Sequence, residues 1–190
     1  MLRDRRKSRI IAEREDSAFV IVDFQEKLIP HIPNADSIRK NLSRIARAAG
    51  ILRVPLLVTE QYPRGLGKTD PEIERAVGNV QCIEKISFSC FGEPKFLGRL
   101  KGMNVQTLLL GGIETHICIA QTALHALLAG YQVHVLVDAV GSREPAATKT
   151  AVNRIKEAGG IVSTTEMALY ELMGKAGSPE FKEIQALLAE

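Results

Sequence analysis

A chain of 190 residues, 45% apolar and 25% charged, is long enough to bury a sizeable core and too ordinary in composition to be fibrous or disordered. Its net charge of +3 is too small to suggest a nucleic-acid binder, and it carries no RRM, zinc-finger or helix-turn-helix signature. No apolar run approaches a membrane span, residues 1–15 lack the apolar stretch of a secretory signal, and Cys82, Cys90 and Cys118 show no disulfide spacing; a reducing cytoplasm is the expected location.

Residues 1–16 read as an N-terminal extension and residues 17–190 as one domain. Ser17 to Val22 is a continuous apolar run, as for a strand buried on both faces, and it ends at Asp23. Asn34 to Ala49 has helical spacing, with Ile38, Leu42, Ile45 and Ala49 on one face and Gly50 as the stop. Pro55 to Thr59 is a second strand, followed by a loop from Glu60 to Gly67. Pro71 opens a short helix to Val77, and Val80 to Glu84 is a third strand leading into Lys85. Pro94 to Leu100 is a short helix, and Val105 to Leu110 is strand four. Gly111-Gly112 then turns the chain into a helix over Ile119 to Ala129, closed by Gly130, with Cys118 in its first turn. Val133 to Val137 is strand five, Pro145 to Ala158 a helix, and Ile161 to Ser163 strand six. Helices over Glu166 to Met173 and from the cap Ser178 through Leu188 complete the chain.

Strands alternating with helices define an α/β doubly wound parallel sheet of six strands, order 3-2-1-4-5-6, with helices on both faces. In that order Asp23 and Cys118 flank one crevice at the carboxyl edge, and Lys85 can reach it from strand three. Taken singly, each has an ordinary alternative: a loop cap for Asp23, a solvated surface group for Lys85, a small core residue for Cys118. A helix amino end favours a thiolate, which sets Cys118 apart from an arbitrary cysteine. His116 points to a different side of the helix and His125 lies about 10 Å down its axis, so neither makes a Cys–His dyad. No GxGxxG follows strand one, so a dinucleotide is not expected.

Three stretches share one family pattern: Val20-Ile21-Val22-Asp23-Phe24-Gln25, Lys85 followed by Ser87-Phe88-Ser89-Cys90-Phe91, and Gly112-Ile113-Glu114-Thr115-His116-Ile117-Cys118. With them the chain resembles the isochorismatase-like cysteine hydrolases over roughly residues 17 to 165. The resemblance implies a Rossmann-like sheet, an Asp–Lys–Cys triad carried over to Asp23, Lys85 and Cys118, and a cis peptide at Ile113–Glu114. It also implies an oxyanion hole from the N–H groups of Glu114 and Cys118. Where nicotinamidases of this superfamily have an Asp-x-His metal motif, this chain reads Thr59-Glu60-Gln61-Tyr62, so neither metal nor other cofactor is expected. The Glu60 to Gly67 loop and the Ile-Glu-Thr-His segment look more like the isochorismatase-domain-containing branch. The expected reaction is hydrolysis of an amide-type C–N bond of a small molecule through a thioester. A vinyl-ether hydrolase and a non-catalytic binding protein are the alternatives. Phe24, Gln25, Gln61, Tyr62, Phe88 and Phe91 are expected to line the substrate pocket, since each lies just beyond a strand that ends there. A homo-oligomer without nucleic-acid or membrane partners is expected.

Overall fold

In the computed structural model, which describes residues 10–190, β1 (Ser17–Val22) is buried along its whole length. Residues 1–9 of the expected N-terminal extension lie outside the described residues. The other strands are β2 (Leu56–Gln61), β3 (Ile83–Lys85), β4 (Thr107–Ile113), β5 (Gln132–Gly141) and β6 (Ile161–Ser163). All pair in parallel, in the order β3-β2-β1-β4-β5-β6, as the alternating pattern predicts.

Successive side chains of a strand point to opposite faces. Phe19 and Ile21 of β1 therefore join one core, under α1 (Ala35–Leu52) and the helices that flank it. Ala18, Val20 and Val22 join the other, on the opposite face of the sheet. In chain order the remaining helices are α2 (Pro63–Leu66), α3 (Pro71–Val77), α4 (Pro94–Gly102), α5 (Ala120–Leu128), α6 (Pro145–Glu157), α7 (Thr165–Met173) and α8 (Pro179–Ala189). Helices α3, α7 and α8 share the α1 core; α4, α5 and α6 cover the second. No helix among the described residues is long and apolar enough to cross a membrane.

Several boundaries differ from the expected ones. Gly50 does not stop α1, which runs to Leu52 and ends on Arg53 in the left-handed region (φ 55°). A helical glycine costs only about 1 kcal/mol, and Leu52 is fully buried, so packing carries the helix past it. Strand β2 runs on to Gln61, pairing Glu60 with Glu84 and Gln61 with Lys85. Strand β5 runs on to Gly141, so Asp138 lies inside it rather than at its end, accepting from the Thr165 N–H and hydroxyl at 2.8 and 3.0 Å. Ser178 precedes α8 without a capping side-chain bond.

Strand β4 continues through both glycines to Ile113. Gly112 pairs with Val22 at φ +121°, and a Cβ there would stand 2.0 Å from the Val22 carbonyl oxygen. Glycine alone permits that approach and that dihedral. The ends of β1 and β4, which lead into Asp23 and Glu114, are thus joined backbone to backbone.

Candidate active site

Asp23 follows β1 directly, at φ 51°, and is fully buried. Its N–H donates to the Thr59 carbonyl at 3.1 Å, which ties it to β2. A buried carboxylate needs donors for its oxygens. The Thr59 hydroxyl donates to Oδ1 at 2.7 Å and Lys85 Nζ to Oδ2 at 2.6 Å, and the Cys118 thiol lies close enough for the two groups to shift each other's pKa. Lys85, the last residue of β3, is 1% exposed. Its ammonium also donates to Gln61 Oε1 at 2.7 Å and to the Phe88 and Ser87 carbonyls at 3.0 and 3.2 Å.

Cys118 does not occupy the first turn of the long helix. It sits in one wide turn before it, Thr115–Ile119, where the Ile119 N–H reaches the Glu114 carbonyl five residues back at 3.3 Å. Such π turns recur at functional sites. The peptide Ile113–Glu114 is cis. The Glu114 carboxylate is pinned to the end of β5 by Arg143, whose backbone N–H, Nε and Nη2 lie 3.0, 3.2 and 3.1 Å from it.

Burial and charge set the protonation states. Burial raises the pKa of Asp23, against the opposing effects of Lys85, Thr59 and Cys118. Burial works against the Lys85 ammonium, but Asp23, then Cys118 and Cys90, hold its pKa above the ordinary value. Burial and then the negative charge of Asp23 push the Cys118 thiol well up, with Lys85 opposing. A helix amino end was the reason to expect a thiolate; desolvation and the neighbouring carboxylate outweigh it. Cys118 therefore rests as a thiol.

Cys90 is a second, fully buried thiol near the same groups, its Sγ 3.9 Å from Thr59 Oγ1 and its N–H donating to Thr122 Oγ1 at 3.0 Å. Burial, then the charge of Asp23, pushes it from 9.0 up to about 11. Between those values the unfolded chain has lost the proton and the folded chain keeps it, so stability falls as pH rises. Urea unfolding should show this loss setting in above pH 9, with a Cys90 share on the order of 2–3 kcal/mol by pH 11, and Cys90→Ala should flatten that share of the slope. A slope unchanged in the variant would refute it.

The six residues expected at the pocket separate. Tyr62 and Phe88 are half exposed, at 51% and 53%, beside the Lys85 cradle: the Tyr62 N–H donates to the Lys85 carbonyl, and the Phe88 carbonyl accepts from its ammonium. Tyr62 also borders a 340 Å³ groove with Arg64, Ile86, Glu93 and Lys95. Phe24 is instead a core residue on the α1 side, its ring under the Arg39 guanidinium, because the turn at Asp23 carries the chain back across the sheet edge. Gln25 is fully buried, and its amide clamps the Gln61 backbone: Oε1 accepts from the Gln61 N–H at 2.8 Å while Nε2 donates to the Gln61 and Gly67 carbonyls. Gln61 is 8% exposed, with its side chain spent on Lys85 and the Ile86 carbonyl. Phe91 packs against Phe96 and Tyr131, with ring centroids 5.7 and 5.8 Å away.

Sequence reasoning missed Thr59 and Arg143. Thr59 was legible in principle, as the last residue of an expected strand beside Asp23; Arg143 left no signal, because strand five was expected to end at Val137 and the structure carries it on to Gly141. Two of the histidines bind serines: His125 Nδ1 meets Ser89 Oγ at 2.8 Å and His116 Nδ1 meets Ser142 Oγ at 3.0 Å.

Comparison with known proteins agrees with this arrangement of the chain. Residues 17–167 match the family model described as the isochorismatase domain. Isochorismatase domain-containing protein 2A of Mus musculus is 40% identical over 178 residues, covering 93% of this chain and 84% of the relative. The MAR1 ribonuclease of Caenorhabditis elegans superposes with a TM-score of 0.90 at 37% identity, over 95% of this chain and 93% of that one. YcaC of Escherichia coli, described as an octameric hydrolase of unknown specificity, shares the fold with a TM-score of 0.83 at 23% identity, over 94% and 87%. By sequence, strand order and superposition, the chain belongs to the isochorismatase-domain family of hydrolase fold.

Proposed function

We propose that this protein is a cysteine-dependent hydrolase that cleaves an amide-type C–N bond of a small molecule through a thioester. The observation that carries the reading is the fully buried Asp23, paired with the buried Lys85 ammonium at 2.6 Å and close to the Cys118 thiol. Asp23 takes the thiol proton as sulfur attacks the carbonyl carbon. The N–H groups of Glu114 and Cys118 receive the oxyanion; removing one such donor typically costs about 10²–10³ in rate. The C–N bond breaks, Asp23 passes its proton to the leaving nitrogen, and the free amine departs. Water then gives a proton to Asp23 and its oxygen to the thioester carbon. The thiolate leaves and is reprotonated, releasing the acid. Because thiol and carboxylate pKa values are both raised, proton transfer accompanies attack instead of preceding it.

The relative from Caenorhabditis elegans named a ribonuclease makes phosphodiester cleavage a second reading. Lys85 argues against it: a fully buried ammonium with four acceptors has no face to offer a phosphate. The test is a panel of small amides, ureides, isochorismate and single-stranded RNA, with wild type beside Cys118→Ala. Amide turnover lost in the variant is expected. RNA cleavage, or isochorismate turnover, that survives Cys118→Ala would replace the thioester reading with the corresponding one.

A further inference from the structure

An ammonium has three protons. Lys85 Nζ has four acceptors, and the two shortest contacts, 2.6 Å to Asp23 Oδ2 and 2.7 Å to Gln61 Oε1, are both to side chains. The Gln61 amide has a defined sense, because its nitrogen end donates to the Ile86 carbonyl at 2.6 Å, which leaves the oxygen facing Lys85. Its backbone has a defined place as well. Gln25 grips both the N–H and the carbonyl of Gln61, and Gln25 lies two residues beyond Asp23. One continuous set of bonds thus runs from the Asp23 segment through Gln25 and Gln61 to Lys85 and back to Asp23.

We propose that Gln61 is a positioning residue: a neutral acceptor, braced by Gln25, that steers the Lys85 ammonium onto Asp23 without competing for its charge. This rests on the reading of Asp23 as the base for Cys118. A glutamine oxygen accepts a hydrogen bond from the ammonium and adds no net charge, so the field of Lys85 falls on Asp23. A carboxylate in the same place would be a second anion beside Asp23 and would divide the lysine between them. Like charges sharing a site raise a carboxylate pKa. Two further titratable groups that act on Lys85, Cys118 and Cys90, have raised pKa values and are neutral at rest, so neither would offset an anion at position 61.

The test reads Cys118 itself and needs no substrate. The alkylation rate of Cys118 by iodoacetamide is followed by mass spectrometry from about pH 4 to pH 8 in wild type, Gln61→Glu, Gln61→Met and Asp23→Asn. Wild-type labelling should fade on the acid side as Asp23 gains a proton. Gln61→Glu should move that limb upward by about one pH unit or more. Gln61→Met, which keeps the length of the side chain and lacks the acceptor, should slow labelling about tenfold across the range. It also tests the idea should Gln61→Glu not fold. A profile sensitive to Asp23→Asn but unmoved in either Gln61 variant overturns the role of Gln61 alone. A wild-type profile that Asp23→Asn leaves unchanged overturns the base assignment, and the role of Gln61 with it.

Discussion

Asp23→Asn is expected to lower amide turnover by about 10³–10⁴-fold, because the amide cannot take the Cys118 proton. The fold around it should survive for a reason visible in the hydrogen bonds. Each Asp23 oxygen receives one strong donor, Lys85 on Oδ2 and the Thr59 hydroxyl on Oδ1. An asparagine can keep its oxygen toward Lys85 and turn its nitrogen toward Thr59, whose hydroxyl rotates to accept. The shape is retained and the base is lost. The comparison is kcat/KM on the amide found in the panel, with thermal unfolding of the same samples. An asparagine variant retaining a tenth or more of the wild-type rate would remove Asp23 from the mechanism.

Lys85→Met should be the most destabilising single change at the site, by about 3–5 kcal/mol near neutral pH. Both members of the Asp23–Lys85 pair have fully buried side chains, so removing the cation leaves a buried carboxylate with no counter-charge. The pH dependence identifies the cause. Asp23 titrates near its ordinary 3.8 in the unfolded chain and higher when folded, and loss of Lys85 widens that gap. Below the unfolded value both states are protonated and the deficit is smallest; it grows as pH rises through the folded pKa. Urea unfolding at about pH 5 should therefore show a smaller deficit than at about pH 7.5, and Asp23→Asn combined with Lys85→Met should recover part of the loss. A deficit below about 1 kcal/mol that does not vary with pH would show that the pair is not what holds this edge of the sheet together.

How much of this was legible follows the physics of each segment. The apolar run of β1 and the alternation of strand and helix signals determine the sheet order, because parallel strands joined by helices have few allowed arrangements. Asp23, Lys85 and Cys118 could be placed at one sheet edge because each follows or ends a strand. What lies one or two residues further could not be placed. The period of two that sorts Phe19 from Val20 fails at Asp23, whose positive φ turns the chain, so Phe24 enters the α1 core and Gln25 a backbone clamp. Phe91 likewise leaves the Lys85 cradle on the tight turn Cys90–Gly92 and joins Phe96 and Tyr131. The thiol was misjudged for a different reason. A helix-end argument is local, whereas the desolvation of Cys118 comes from everything packed around it.

The contact between Gly112 and Val22 bears on how such a protein diverges. The separation of the Asp23 and Glu114 segments is set by two main chains touching, with no side chain between them to shorten, lengthen or repack. Position 112 is consequently closed to substitution, while Tyr62, Phe88 and the half-exposed Arg143 stand outside that contact. Selection can redraw the rim of this site, residue by residue, while the spacing of the groups beneath it stays where the backbone put it.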